Sequence, residues 1–94
     1  MKLLVTYQIK NGSAAEFLNG LHSLGFPENV RAEDGCLRYE YYLPAEGSSS
    51  VILIEEWESA EKQALHLEQP HMKRLADIKS RFVSGTAVDI IAEC

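Results

Sequence analysis

At 94 residues the chain is long enough for one domain spanning residues 1–94 and too short for two, because each half would bury too little surface to fold alone. Its 46% hydrophobic content is that of an ordinary globular protein, and no single-sign run or low-complexity block points to disorder. Fourteen acidic against nine basic residues give a formal charge of −5, the wrong sign for a phosphate-neutralising surface, so no nucleic-acid partner is expected.

Leu3 to Ile9 (LLVTYQI) alternates Leu3, Val5, Tyr7 and Ile9 with Leu4, Thr6 and Gln8, which predicts a strand. Its apolar run from Leu3 to Val5 is too short for a signal-peptide core or a membrane span, so a soluble cytoplasmic protein with no membrane partner is expected. Asn11 and Gly12 turn the chain, and Ser13 with Glu16 forms a capping box for a helix whose stripe is Ala14, Phe17, Leu18, Leu21 and Leu24. His22, beside that stripe, is expected to be partly buried and structural. Pro27 opens a second helical piece to about Ala32, which Glu33, Asp34 and Gly35 end.

Cys36 to Leu43 (CLRYEYYL) sets Leu37, Tyr39, Tyr41 and Leu43 against Arg38, Glu40 and Tyr42, and Val51 to Trp57 (VILIEEW) follows after a Gly- and Ser-rich loop. The pair reads as an antiparallel hairpin. In its second strand Val51, Leu53, Glu55 and Trp57 share one face, and Ile52, Ile54 and Glu56 the other. Ser59 caps a helix from Ala60 to Glu68 with Ala64, Leu65 and His66 inward. Pro70 starts another, with Met72, Leu75, Ala76, Ile78 and Phe82 as its apolar stripe and Lys73, Arg74, Asp77, Lys79 and Arg81 outside. Gly85 stops it, and Thr86 to Ala92 is the last strand. The order predicts an α+β, ferredoxin-like βαββαβ sandwich. Strands apolar on both faces, with helices on one, predict a homodimer in which a second copy covers the open face.

Cys36 and Cys94 lie 58 positions apart with no CxxC pair, so no disulfide framework or zinc site is expected, and Cys36 reads as a small buried side chain. His66 and His71, five apart around Pro70, are candidate proton carriers, because imidazole alone titrates near neutrality; the plainer alternative is that they cap helix ends. They lack the HExxH spacing of a zinc pair. Trp57 is a candidate to stack on an aromatic ligand, or else a core-edge residue under a helix. Glu55 and Glu56 point to opposite faces and cannot serve one site as an acid and base pair.

RAEDGCLRYEYYL (Arg31 to Leu43) and ILIEEWESAEKQALHLEQPHMKRL (Ile52 to Leu75) resemble the antibiotic biosynthesis monooxygenase domain, whose pattern runs Glu, any, Gly, Cys, Leu, any, Tyr, then Glu, any, Trp, any, Ser, then His, Leu and Pro, His. The resemblance implies a dimeric α+β barrel. It also implies oxygenation of a quinol, phenol or anthrone by O₂ with no cofactor: the deprotonated substrate passes an electron to O₂, and the radicals recombine to a hydroperoxide that loses water. Carried over, Trp57, His66 and His71 match the family Trp and the two His, as catalytic candidates, and Tyr39 matches the strand Tyr. Tyr7, Tyr39, Leu53 and Met72 are the expected substrate-binding residues. Where some active members use an Asn, the first strand offers Val5, Thr6 and Tyr7. Relatives of the same fold include heme-degrading enzymes and an isomerase, so a small-carbonyl isomerase or a ligand-binding protein is the alternative.

Overall fold

A computed structural model describes residues 1–10, 13–46 and 49–92. Its elements are β1 (Lys2–Ile9), α1 (Ala14–Ser23), α2 (Phe26–Arg31), β2 (Cys36–Tyr42), β3 (Ser50–Trp57), α3 (Ala60–Leu67), α4 (Met72–Phe82) and β4 (Val83–Ala92). The strands form one antiparallel sheet in the order β2-β3-β1-β4, the ferredoxin-like α+β arrangement. The Asn11–Gly12 turn and Cys94 lie outside the described residues. Among the described residues no helix is long and apolar enough to cross a membrane.

The alternation in β1 works as its sequence dictates: Leu3, Val5, Tyr7 and Ile9 are buried, as are Val51, Leu53, Glu55 and Trp57 of β3. These residues face the helices, and Phe17 and Leu21 of α1, Phe26 and Val30 of α2, and Leu75 and Ile78 of α4 close over them. Phe17 meets Tyr7 edge-on at 5.6 Å between ring centroids. Burying such a ring removes roughly 1.5–3 kcal/mol of apolar exposure, so this contact alone rivals any surface ion pair in the molecule. The Ser13 hydroxyl accepts the Glu16 N–H at 3.1 Å and so satisfies a first-turn amide of α1. On the opposite face Leu4, Thr6, Ile52 and Ile54 are half-buried with no helix above them.

Several expectations are corrected by this packing. Leu37 is exposed because the β2–β3 register shifts between Cys36 and Arg38, making Leu37 the extra residue of a bulge; Tyr39 and Tyr41 still face inward. Cys36, at that bulge, is half-buried rather than buried. Leu43 lies beyond the end of β2 and is exposed. Helix α3 turns His66 inward but leaves Ala64 and Leu65 outside, so its docked face is polar. His22 is exposed and lies 3.8 Å from Glu28. Helix α4 ends at Phe82, before Gly85, because Val83 already takes an extended conformation (φ −107°, ψ 128°) and pairs with Ile9. A β-branched side chain favours that switch. Pro70 sits in the turn that leads into α4, where its carbonyl accepts the Lys73 N–H at 3.2 Å. Ala76 is exposed and Lys79 is half-buried, the reverse of the sequence expectation.

Candidate active site

The turn after α2 brings the first site residue into place. Gly35 has φ +86°, and a side-chain carbon there would lie 2.5 Å from the Lys62 stem of α3, so only glycine permits this approach. The Gly35 carbonyl accepts the Glu58 N–H at 2.9 Å, and Asp34 pairs with Lys62. Thus fastened to the start of α3, the turn points Glu33 at two imidazoles. His66 donates from Nδ1 to Glu33 Oε2 at 2.9 Å and Oε1 at 3.1 Å, and His71 donates from Nε2 to Oε2 at 2.6 Å.

All three side chains are largely withdrawn from water, with His66 only 2% exposed. A carboxylate that accepts an N–H from each of two rings fixes both tautomers and both orientations. His66 is therefore left with Nε2 as its unclaimed ring nitrogen. Glu33, His66 and His71 are also the one group of three metal-ligating side chains among the described residues, their ligand atoms lying within 4.8 Å of one another. A shared cation would stand about 2.0–2.2 Å from each donor atom. In this structure Glu33 Oε2 accepts from both ring nitrogens instead, so the group stands as a hydrogen-bond hub.

Glu55, on the buried face of β3, accepts the Trp57 indole N–H at 3.0 Å through Oε1. Burial raises its pKa above the ordinary 4.5, Glu33 adds to the rise, and the Trp57 hydrogen bond and His66 oppose it. The indole lies tilted over the His66 ring, 4.7 Å between centroids at 33°, and Tyr39 meets the same imidazole edge-on at 5.7 Å. Burial also pushes Tyr7, Tyr39 and Tyr41 well above the usual phenol range, so these hydroxyls keep their protons. The Tyr41 ring meets Tyr39 edge-on at 5.8 Å.

Glu55 and His66 open onto a cavity of about 300 Å³ between the sheet and α3 and α4. Leu3, Val5 and Tyr7 line its floor, Tyr39 closes one side, Met72, Leu75 and Lys79 form its roof, and Thr86 and Val88 of β4 complete it. A hollow of about 350 Å³ along the outer edge of β2 is lined by Arg31, Arg38 and Glu40, and it contains neither imidazole nor buried carboxyl.

Of the residues singled out in the sequence, His66, Tyr7, Tyr39 and Met72 line the cavity together. Trp57 is buried behind Glu55 and His66, and Leu53 is wholly covered in the core. His71 lies on the far side of Glu33, packed edge-on against Phe26 at 5.7 Å and lining a separate hollow with Asn29, Pro70 and Arg74. Two residues enter the site that the sequence reading quoted in the family pattern but gave no chemical role: Glu33, read as a helix terminator, and Glu55. A carboxylate on a strand face otherwise made of Val51, Leu53 and Trp57 is itself a signal.

A family model described as antibiotic biosynthesis monooxygenase matches residues 1–77, which contain Glu33, Glu55, Trp57, His66 and His71. The chain belongs to that family. Solved structures of similar fold include protein PA3566 of Pseudomonas aeruginosa (24% identity, TM-score 0.81), covering 99% of this chain and 92% of that one. A conserved protein from Methanosarcina mazei is also 24% identical, with TM-score 0.83 over 99% and 91% of the two chains. An antibiotic biosynthesis monooxygenase is 20% identical, with TM-score 0.80 over 99% and 97%. No curated protein matches the sequence. In this member of the antibiotic biosynthesis monooxygenase family, Glu33, Glu55, Trp57 and His66 lie in one largely buried cluster beside the cavity.

Proposed function

We propose that this chain is a cytoplasmic, cofactor-independent monooxygenase that oxidises a small electron-rich aromatic, of quinol, phenol or anthrone type, with O₂. The observation that carries the reading is the Glu33–His66 pair: a carboxylate holds Nδ1, so Nε2 is the basic atom at the edge of an apolar cavity. His66 removes the substrate's hydroxyl proton. The phenolate gives one electron to O₂, the two radicals combine to a peroxide at ring carbon, and loss of water leaves a carbonyl, so one oxygen atom ends in product and one in water. Glu55, whose pKa burial raises, is the carboxyl we assign to hydrogen-bond the developing oxyanion when it carries its proton. Trp57 and His71 act as positioning residues, Trp57 through Glu55 and His71 through Glu33. A volume of about 300 Å³ is at the small end of ligand sites, which run roughly 300–1,000 Å³, and suits one or two rings.

The assembly in this reading is a homodimer, since Leu4, Ile52 and Ile54 leave an apolar face that 94 residues do not cover. Oxygen uptake with a panel of naphthoquinols and anthrones, without added cofactor, is expected to exceed autoxidation and to disappear in His66→Ala. Uptake no faster than autoxidation across the panel would overturn the proposal. A second reading has support from the same site: a carboxyl and an imidazole lining one largely apolar cavity are equally fitted to keto–enol proton transfer. Turnover of a small carbonyl compound under strict anaerobiosis would select that isomerase.

A further inference from the structure

The cavity carries one positive charge that the proposed chemistry does not use. Lys79 lines it from α4, half-buried, with Nζ 5.2 Å from the centroid of the Tyr7 ring. It forms no ion pair with any carboxylate among the described residues, whereas its neighbour Asp77 on the same helix is taken by Arg81. A lysine with a free stem normally reaches for water or a carboxylate. This one lies over a cavity wall.

Two independent rulers give its distance from the acid–base groups. Along β1, Leu3 pairs with Glu55 and Tyr7 pairs with Thr86, so the floor runs four residues, about 13 Å, from the carboxyl end to the Thr86 end. Along α4, Met72 to Lys79 spans seven residues, about 10 Å of helix. The cavity is thus bipolar: Glu55 and His66 stand at one end, Lys79 and the Thr86 hydroxyl at the other, and Val5, Leu75 and Val88 lie between. With a net charge of −5, the protein's overall field repels anions, so selection of an anion must come from a local cation.

We infer that Lys79 is an anchor for an anionic substituent, and that the ligand of this cavity is a ring system bearing a hydroxyl at one end and a carboxylate or sulfonate at the other. Lys79 receives the anion and Thr86 donates to it. The opposite hydroxyl then lies toward His66 Nε2. The inference rests on reading the cavity as an aromatic-substrate site and adds the charge class of that substrate.

Calorimetric titration under nitrogen separates the two ideas without needing turnover. The probes are 2-naphthol and 6-hydroxy-2-naphthoate, which share the ring and the hydroxyl and differ by the remote carboxylate. The wild-type protein is expected to bind the carboxylate about tenfold more tightly at low ionic strength, the effect of one charge-assisted hydrogen bond. Salt should erode that preference. Lys79→Met should abolish that preference, read as the ratio of the two affinities, and Lys79→Arg should retain it. Equal binding of the two probes by the wild type, or a preference that survives in Lys79→Met, would overturn the anchor and leave the aromatic site standing. Failure of both probes to bind would overturn both.

Discussion

On the helix-covered side of the sheet, the β2–β3 end and the β4 end share one alternation pattern but meet different surroundings. Beside β2 and β3, α2, α3 and the turn after α2 close over Tyr39, Glu55 and Trp57, and each of these is nearly or wholly buried. Val88 and Ile90 of β4 face the same way, paired with Val5 and Leu3, yet they are 58% and 54% exposed. Burial here is decided by what lies above a strand rather than by the strand's own pattern. The closed end is where burial raises the pKa of Glu55 and where Glu33 fixes the tautomer of each imidazole. The open end is where a ligand or another copy of the chain has room.

If the closed end is a packed core, removing a ring from it should be the most damaging change. Phe26 meets Tyr39 at 6.2 Å and His71 at 5.7 Å. Phe26→Ala is expected to cost about 3–5 kcal/mol in urea denaturation. A loss under about 1 kcal/mol would mean that the helix layer there is loose. Next in size is Glu33→Ala, which leaves two imidazole N–H groups without their acceptor. The expected loss is about 2–4 kcal/mol, since an orphaned donor costs roughly 1–3 kcal/mol and the partly exposed His71 falls at the low end of that range. Glu33→Gln keeps an acceptor oxygen and should lose less.

Glu55 sharpens the comparison in the opposite direction, toward stabilisation. Its folded pKa is raised by burial, so between pH 4.5 and that raised value the native state binds more protons than the unfolded one. Its contribution to stability therefore falls as pH rises through this window. Glu55→Gln, which can still accept the Trp57 N–H, should match the wild type near pH 4 and melt higher at pH 7. Each kcal/mol of difference is worth about 4–8 °C in a domain of this size. Equal melting temperatures at pH 7 would show that the carboxyl carries no desolvation penalty, and its proposed part in hydrogen-bonding the oxyanion would fall with it.

The fold was legible because periodicity is local: strand alternation, the Ser13 cap and the α4 stripe each follow from neighbours in sequence. What escaped was set by tertiary contact. Nothing adjacent to Leu37 announces the bulge that turns it outward. Helix α3 looks as though Leu65 should be buried, but the surface it docks on holds Glu33 and Trp57, and a histidine satisfies those groups where a leucine would not. His66 and the two tyrosines of the cavity were readable from residue type and motif. Glu33 opens the quoted Glu, any, Gly, Cys pattern, yet its role depends on a hydrogen bond spanning 33 positions, which no spacing rule encodes. Lys79 was assigned outward on the helical wheel and reaches inward because its long stem follows the Tyr7 ring.

The smallest effect on the isolated fold should come from the open end, and it separates packing within a chain from packing between chains. Val88→Ser and Ile90→Ser remove apolar surface that no helix covers, so each should change the stability of the lone chain by no more than about 0.5 kcal/mol. In a homodimer whose partner reaches β4, the same changes act twice per assembly on surface that association buries. Sedimentation equilibrium should then show weaker self-association, with a denaturation midpoint that depends on protein concentration in the wild type and less so in the variants. A wild type that sediments as a monomer at micromolar concentration would remove the dimer. Large losses at a concentration-independent midpoint would instead mean that β4 is packed within its own chain, and the contrast between the two ends of the sheet would vanish.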